Sequence, residues 1–416
     1  MPSVTAPSQR SVHHRALPVV AMVGGGQLAR MTHQAAVALG QTLRVLAADA
    51  GDPAALVSPN VVLGSHDDLD ALRRVAEGAT ALTFDHEHVP TEYLRTLVTE
   101  GVAVHPPPEA LIFAQDKAAM RRRLAELGYP VPPFAVVATV DEVRQFVAEH
   151  GPAVLKTTRG GYDGRGVWFI EPPTDDDVDF DARVSEILAS GVDILIEQRV
   201  PMVRELSAMV ARSPYGQGAA WPVVETVQRN GQCAVVLAPA PGLSEERSRA
   251  AQEMALGLAQ ILGTVGVMAV EMFETVDGLV INELAMRPHN SGHWSMNGCV
   301  TSQFEQHVRA VVDYPLGATT ATAPVTVMAN VLGAPETPTM SMDERVHHLM
   351  ARFPDAHVHL YGKGERKDRK IGHVNIVGPA TSSPNDPASV AAIREKAELA
   401  AHWLSHGEWT DGWKPE

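Results

Sequence analysis

The chain has 416 residues, of which 45% are hydrophobic, so it can form roughly two to four domains with real cores. Its net charge of −15 argues against a general binder of nucleic acids or anionic membranes, and no apolar run reaches the roughly eighteen residues of a membrane helix. Two cysteines, Cys233 and Cys299, cannot build a disulfide framework, which favours a reducing, cytoplasmic location.

The N-terminal segment combines a polar tail with a glycine-rich turn. Residues 1–17 lack an apolar core and are predicted to be a disordered tail. An apolar strand, 18–23, then runs into Gly24, Gly25 and Gly26 and a helical pattern, and an acid follows at Asp49. This is the spacing of a dinucleotide fingerprint, which indicates a nicotinamide or flavin enzyme. The same turn would accept any phosphate at a helix N-terminus, or no ligand at all.

Further strand-like segments at 61–64, 81–84 and 102–104 alternate with helical patterns at 68–77 and 91–100. This alternation predicts a doubly wound α/β domain over residues 18–115. The strand ending at Phe84 is followed by four ionisable residues, 85–88, at the edge where such sheets bind ligands. We expect Glu87 to face the ligand, with His86 and His88 behind it or at the surface.

A second domain, predicted over residues 116–317, begins with two lysines in special positions. Lys117 opens an amphipathic helix, and Lys156 ends an apolar strand, where an ammonium group needs an anionic partner. The glycine loop 161–166 follows, without the Gly-Lys-Ser/Thr of a P-loop. It is typical of a lid over a nucleoside triphosphate, and the alternative is an ordinary surface turn.

The strand 194–198 ends in Glu197 and Gln198, a connector of the kind that contacts an adenine. Glu205, on the next strand, is a candidate acid for ribose hydroxyls, and Gln228 lies further along the same sheet. Each of these residues, taken alone, is more often structural.

The most informative segment is a predicted hairpin, 267–284, with its turn near Asp277 and Gly278. Its register places Glu271 opposite or almost opposite Glu283, where two carboxylates repel each other. A cation between them would relieve the repulsion, and Mg²⁺ that also holds nucleotide phosphates suits such ligands. Asn282 adds a third oxygen only if the strand bulges. Two solvated carboxylates are the alternative.

Polar residues crowd the loop after this hairpin, where irregular backbone presents side chains to a cleft. They are Arg287, His289, Asn290 and His293.

A smaller unit is predicted over residues 318–416. It carries a basic stretch, 363–370, which indicates either an anion site or a charged hairpin tip.

Together these motifs resemble the ATP-grasp superfamily and, more closely, its N5-carboxyaminoimidazole ribonucleotide synthase family. The segments that carry the resemblance are 24–31, 161–166, 281–294 and 363–375. It implies an α/β fold with an N-terminal doubly wound pre-ATP-grasp domain, a central α+β grasp domain and a small C-terminal domain. The family usually reads Phe-Glu-Phe-Glu-Asn at 84–88, so only Glu87 carries over there. Met286 stands where the family has proline.

The resemblance implies an ATP-dependent carbon–nitrogen ligase. Its substrates would be ATP, bicarbonate and 5-aminoimidazole ribonucleotide, which would be carboxylated through carboxyphosphate in de novo purine (IMP) biosynthesis. Mg²⁺ would be the cofactor, with Mn²⁺ as an alternative metal. A cytoplasmic homodimer is expected, with the product passed to a separate mutase and with no nucleic acid or membrane partner.

The resemblance also implies residue roles. Glu271 and Glu283 would bind the metal, and Arg287, His289 and Asn290 would hold bicarbonate and carboxyphosphate. Asp163 would orient or deprotonate the attacking amine. The residues expected to bind ATP are Lys117, Lys156, Gly161, Tyr162, Gly164, Arg165, Gly166, Glu197, Gln198, Val200, Glu205, Gln228, Asn282 and Glu283. Those expected to bind the ribonucleotide are Gly26, Gln27, Leu28, Glu87, Tyr162, Arg165, Lys363, Arg369 and Lys370.

Three other functions compete with this one. A formate-dependent glycinamide ribonucleotide transformylase shares the grasp and the metal carboxylates but should lack the pairing of 161–166 with 290–294. An NAD-dependent oxidoreductase explains only residues 18–49. A catalytically inactive, nucleotide-binding regulatory protein would not need Lys156, Glu271 and Glu283 intact.

Overall fold

A computed structural model describes residues 17–161, 165–174 and 177–413. The tail predicted over residues 1–17 lies outside these ranges except for Leu17, and so do Tyr162, Asp163 and Gly164 of the glycine loop. Among the described helices, none is long and apolar enough to cross a membrane.

The N-terminal part is a four-stranded parallel sheet in the order β3-β2-β1-β4, with helices around it. The predicted strand at 102–104 is reduced to a single bridge between Leu82 and Val104. The elements are β1 (Val19–Val23), α1 (Gln27–Ala38), β2 (Thr42–Ala47), β3 (Val61–Leu63), α2 (Leu69–Ala76), β4 (Ala81–Phe84), α3 (Thr91–Thr99) and α4 (Pro108–Gln115).

A second, antiparallel sheet of four strands has the order β5-β8-β6-β7. Its central strand, β8, is apolar because both of its edges are paired and its side chains pack under two helices. The elements are α5 (Lys117–Glu126), β5 (Phe134–Val137), α6 (Val140–His150), β6 (Ala153–Thr157), β7 (Val167–Ile170), α7 (Phe180–Leu188) and β8 (Ile194–Gln198).

The third sheet has nine strands and carries the predicted hairpin at one edge, in the order β14-β13-β9-β11-β12-β15-β17-β16 with β10 beside β9. The strands are β9 (Arg204–Arg212), β10 (Gly218–Ala220), β11 (Val224–Arg229), β12 (Gln232–Ala238), β13 (Gly266–Glu274), β14 (Leu279–Ala285), β15 (Thr326–Leu332), β16 (Ala356–Leu360) and β17 (Lys370–Val377). The helices are α8 (Glu245–Ile261), α9 (Ser295–Gly298), α10 (Gln303–Val311), α11 (Met342–Arg352) and α12 (Pro387–His406), with a short 3₁₀ turn at Asn290–Gly292.

The strands of the C-terminal segment do not form a sheet of their own. Because β12 pairs with β15, the strands β15, β17 and β16 extend the same sheet that holds the hairpin. Helix α12 covers this extension with an apolar face that includes Ala397, Ala400 and Leu404. The basic stretch 363–370 is thereby placed beside the N-terminal domain.

A buried histidine joins the N-terminal sheet to the large sheet. His307, on α10, lies 2.8 Å from the Thr83 hydroxyl through Nε2, and its Nδ1 accepts from the Val267 amide at 3.1 Å. Burial lowers the pKa of His307 to about 3, so it is neutral and uses both ring nitrogens for these contacts. Thr83, near the carboxyl end of β4, is therefore held beside the start of β13.

Candidate active site

A cavity of about 1200 Å³ lies between the three sheets. Eighteen of the predicted site residues line it, drawn from every part of the chain. They are Gln27, Leu28, Glu87, Lys117, Lys156, Gly161, Glu197, Gln198, Val200, Glu205, Gln228, Glu271, Asn282, Glu283, Arg287, His289, Asn290 and Lys370. Its size exceeds the usual range for one small ligand, so it has room for a nucleotide and a second substrate.

The hairpin forms in the predicted register. Glu271 pairs directly with Glu283, and the next pair is Met272 with Ile281, so Asn282 is the extra residue of a bulge. The bulge lets Asn282 reach the cavity as well, where its Oδ1 accepts from Lys156 Nζ at 3.2 Å. Three oxygen-bearing side chains therefore meet at this edge of the sheet.

The electrostatics of the two glutamates differ. Burial would raise the pKa of Glu283, but Lys117, whose Nζ lies 3.0 Å from Oε1, holds it below its ordinary value. Burial, and then the charge of Glu283, raise the pKa of Glu271 to about 8. Two ionised carboxylates at this spacing thus need more positive charge than the described side chains supply.

This donor set fits a hard divalent cation bound together with phosphates. Among the described residues, no group of three or more His, Cys, Asp or Glu side chains converges to hold a metal. Mg²⁺ in nucleotide sites typically takes only one or two carboxylates and completes its octahedron with phosphate oxygens and water. Two carboxylates and an amide oxygen are therefore sufficient for that kind of site.

Lys156 has an anionic partner, as its position at a strand end required. Its Nζ lies 2.7 Å from Oε2 of Glu197, and Oε1 of the same carboxylate accepts from Arg121 at 2.5 Å. Burial alone would raise the pKa of Glu197, but Lys156 and Arg121 hold it below the ordinary value. The sequence predicted that Glu197 orients adenine or ribose. Its carboxylate is instead bound to two cations, so a nucleotide contact of Glu197 remains a prediction.

Glu205 and Gln228 lie side by side on neighbouring strands. Gln228 donates to Glu205 at 2.9 Å, and burial raises the pKa of Glu205. Both residues face the cavity near Lys156. An acid and an amide so placed suit the two hydroxyls of a ribose, and that role remains a prediction.

Arg287 is a further cation that lines the cavity. Its Nε donates to Glu87 at 2.6 Å, and the other Glu87 oxygen accepts from the Met286 amide at 3.3 Å. Burial opposes the positive charge, but Glu87 keeps the pKa of Arg287 above its ordinary value. Glu87 thus contacts the side chain of Arg287, and it lines the cavity beside it.

The histidine and the asparagine of the same loop are fixed by neighbours. Burial, together with Arg287, lowers the pKa of His289 to about 3. Its Nδ1 accepts from the Ser291 amide, so the neutral ring carries its proton on Nε2, 3.5 Å from Glu271. Asn290 exchanges two hydrogen bonds with Asn330, at 2.8 and 3.1 Å. This loop is therefore rigid and presents hydrogen-bond donors to the cavity.

Gln303, on α10, fixes the backbone of the loop that carries His289. Its side-chain amide accepts from the His289 N–H at 2.7 Å and donates to the His289 carbonyl at 2.8 Å. The close packing leaves no room at Gly292, because a Cβ there would lie 2.3 Å from Met209 Sδ and 2.6 Å from Gln303 Oε1.

We expect Gly292→Ala to lower the free energy of unfolding by about 1–3 kcal/mol, because the added methyl group overpacks a filled site. Denaturant unfolding measures the change. Gly364→Ala is the matched control, since a Cβ there meets its nearest atom at 3.9 Å; it should change stability by less than about 0.5 kcal/mol. Equal stability of the two variants would contradict this packing.

The glycine-rich first turn contains a carboxylate that was not predicted as a site residue. Asp85 Oδ2 accepts from the Ala29 amide at 3.2 Å, at the N-terminus of α1, and a Cβ on Gly26 would lie 2.6 Å from the same oxygen. Burial raises the pKa of Asp85. The glycines thus admit Asp85, and only part of the helix N-terminus is left for a substrate phosphate.

The basic stretch reaches this turn from the C-terminal segment. Lys363 Nζ contacts the side chain of Gln27, and Lys370 lines the cavity. Arg369 donates to the Gly364 carbonyl at 3.4 Å and is not among the lining residues. Of the predicted substrate side chains, Gln27 and Lys370 line the same cavity, Lys363 contacts Gln27 from outside the lining residues, and Arg369 lies outside.

The glycine loop is described only at its ends. Gly161 lines the cavity, and a Cβ there would lie 2.8 Å from the Arg165 carbonyl. Arg165 is exposed. The roles predicted for Tyr162, Asp163 and Gly164 fall on residues outside the described ranges, and those for Arg165 and Gly166 remain predictions.

Comparison with known families covers most of the chain. The ribonucleotide synthetase preATP-grasp domain matches residues 17–115, the ATP-grasp domain matches residues 122–304, and the phosphoribosylaminoimidazole carboxylase C-terminal domain matches residues 326–385. With the cavity described above, these matches define an ATP-grasp ligase.

Relatives identify the family within that class. The N5-carboxyaminoimidazole ribonucleotide synthase of Mycobacterium tuberculosis is 62% identical over 96% of this chain and 90% of its own. That of Corynebacterium ammoniagenes is 47% identical over 96% and 95%. A structure of the Aspergillus clavatus enzyme with ADP and 5-aminoimidazole ribonucleotide superposes with a TM-score of 0.81, at 28% identity, over 93% of this chain and 99% of that one. The chain belongs to the N5-carboxyaminoimidazole ribonucleotide synthase family.

Proposed function

We propose that this enzyme uses ATP to carboxylate the amino group of 5-aminoimidazole ribonucleotide with bicarbonate, as in de novo purine biosynthesis. The observation that carries the proposal is the cavity itself, which is lined both by Lys117, Lys156 and the hairpin glutamates and by Arg287 and Lys370. The names of the relatives and the bound ribonucleotide of the Aspergillus structure support this choice of substrate.

The residues that are proposed to bind the nucleotide have roles that follow from their charge. Lys117 and Lys156 hold the phosphates as fixed cations, and Glu205 with Gln228 meets the ribose. Glu271, Glu283 and Asn282 would hold Mg²⁺, with Mn²⁺ as an alternative, and the metal supplies charge neutralisation at the transferring phosphate. Catalysis of phosphoryl transfer is mainly positioning and charge stabilisation, which fixed and buried groups provide.

Next to the hairpin glutamates, Arg287, His289 and Asn290 hold bicarbonate in place. Bicarbonate attacks the γ-phosphate of ATP through an oxygen, the bond to the bridging oxygen breaks, and ADP leaves with carboxyphosphate formed. The amine of the ribonucleotide then attacks the carboxyl carbon, directly or after CO₂ is released, and phosphate leaves. Neutral His289 donates from Nε2 without adding a charge, and Glu87 orients Arg287. Asp163 orients or deprotonates the amine.

The ribonucleotide is assigned to the space between the first turn and the basic stretch. Lys363 and Lys370 carry positive charge to a region that also holds Gln27, so they suit a 5′-phosphate. The backbone amides of Gln27 and Leu28 add donors, whereas Asp85 accepts from those of Gly26 and Ala29. We further propose a cytoplasmic homodimer that passes its product to a mutase; the free cysteines support the location.

Isotope incorporation tests the proposed product. With ATP, Mg²⁺, 5-aminoimidazole ribonucleotide and ¹⁴C-bicarbonate, we expect label to enter an acid-labile compound in equal amount to the ADP formed. Acid lability is expected because a carbamate loses CO₂ when its nitrogen is protonated. Label that does not enter the ribonucleotide while ADP accumulates would contradict the proposal.

A further inference from the structure

Arg121 is a buried cation to which the proposed mechanism gives no role. It lies on α5, one helical turn after Lys117, and its side chain is 1% exposed. Its Nε donates to Glu197 at 2.5 Å, while its Nη1 is buried without a hydrogen-bond partner among the described residues. Removing an arginine from water costs free energy, so packing alone does not explain why Arg121 is buried here.

The charges around Glu197 give that reason. One carboxylate, 3% exposed, lies between Arg121 on one oxygen and Lys156 on the other. Two positive charges and one negative charge leave a net charge of about +1, and of the two cations only Lys156 lines the cavity. Without Arg121, Glu197 and Lys156 would neutralise each other, and the approaching phosphate would meet a neutral pair.

We propose that Arg121 is a positioning residue that neutralises Glu197 and so keeps the charge of Lys156 available to a nucleotide phosphate. This rests on the proposed role of Lys156 toward ATP. The effect is expected on phosphate binding and not on the base or the sugar, because Lys156, whose charge is affected, is assigned to the phosphates. A purely structural arginine would affect every part of the nucleotide alike.

The test measures binding of ADP and of adenosine by calorimetry, with no bicarbonate or ribonucleotide present. We expect Arg121→Met to weaken ADP binding by about 10- to 100-fold, by analogy with the loss of residues that support a metal ligand. Adenosine binding should stay unchanged. Arg123→Met is the matched control: it removes the same charge from the same helix, but Arg123 is 40% exposed and pairs only with Glu126 among the described residues.

A double variant separates charge from shape. Arg121→Met combined with Glu197→Gln removes both buried charges, leaves Lys156 positive, and should bring the ratio of ADP affinity to adenosine affinity back to within about threefold of the wild type. A ratio in the double variant as low as in Arg121→Met, or equal losses of ADP and adenosine affinity in Arg121→Met, would overturn the proposal.

A second variant keeps the test decisive if Arg121→Met does not fold. Glu197→Gln alone leaves both cations unopposed, so the ratio of its ADP affinity to its adenosine affinity should be at least that of the wild type, whatever Glu197 itself contributes to base or ribose binding; a lower ratio would overturn the proposal. Binding of ADP to the wild type is a separate outcome: its absence would refute the proposed nucleotide site itself.

Discussion

Replacement of Glu283 by glutamine is expected to reduce turnover by about 10²- to 10³-fold, while the chain remains folded. Glu283 pairs across the hairpin with Glu271 and contacts Lys117, so it links the proposed metal to a phosphate-holding lysine. Glutamine keeps the shape of the side chain but removes the negative charge that stabilises both Lys117 and the proposed metal ion. The Lys117 contact is partly exposed, so its loss should cost little stability.

Initial rates of ADP formation at saturating ATP and Mg²⁺ measure the effect, with thermal unfolding as the check on the fold. Glu126→Gln is the control, because Glu126 is 64% exposed and lies away from the cavity; it should turn over normally. Normal turnover by Glu283→Gln would remove the argument for a metal at the hairpin.

Arg287→Met is expected to lose about 10²- to 10³-fold in bicarbonate-dependent turnover while ADP binds as tightly as before. Arg287 is a cavity cation held by Glu87, whereas Lys117 pairs with Glu283 and Lys156 with Glu197. Its removal takes away charge stabilisation where carboxyphosphate forms. It leaves in place the two lysines that are proposed to bind the nucleotide phosphates.

Arg287→Lys separates charge from geometry. It keeps a positive charge but cannot reproduce the planar contact with Glu87, so we expect its rate to fall between those of the wild type and Arg287→Met. Calorimetry with ADP and steady-state rates against bicarbonate make the comparison. If Arg287→Met lost ADP affinity and kept its bicarbonate response, Arg287 would belong to the nucleotide site and its assignment to bicarbonate would be wrong.

What could be predicted from the sequence was set by local chemistry. The turn at Asp277 and Gly278 fixes the hairpin register, so the pairing of Glu271 with Glu283 is confirmed. Asn282 lines the cavity only because the strand bulges there, and no residue near Asn282 in the sequence predicts that bulge. Class and family followed from short motifs, and the comparisons confirm both.

What could not be predicted depends on contacts between distant residues. Arg121 and Glu197 are 76 residues apart, and Asp85 reaches Ala29 across 56 residues. Nothing local to Glu197 shows that its carboxylate is bound on both sides. Asp85 was visible as one of four ionisable residues at a strand end, but the sequence alone favoured Glu87. The continuation of the large sheet into the C-terminal segment likewise rests on one pairing, β12 with β15.

The central claim is that ATP cleavage in this cavity depends on bicarbonate and 5-aminoimidazole ribonucleotide together. ADP release, measured with bicarbonate or formate and with or without the ribonucleotide, tests it most directly. We predict rapid release only with bicarbonate and the ribonucleotide, and no stimulation by formate. ADP release that is indifferent to both bicarbonate and the ribonucleotide, or that responds to formate, would contradict the account.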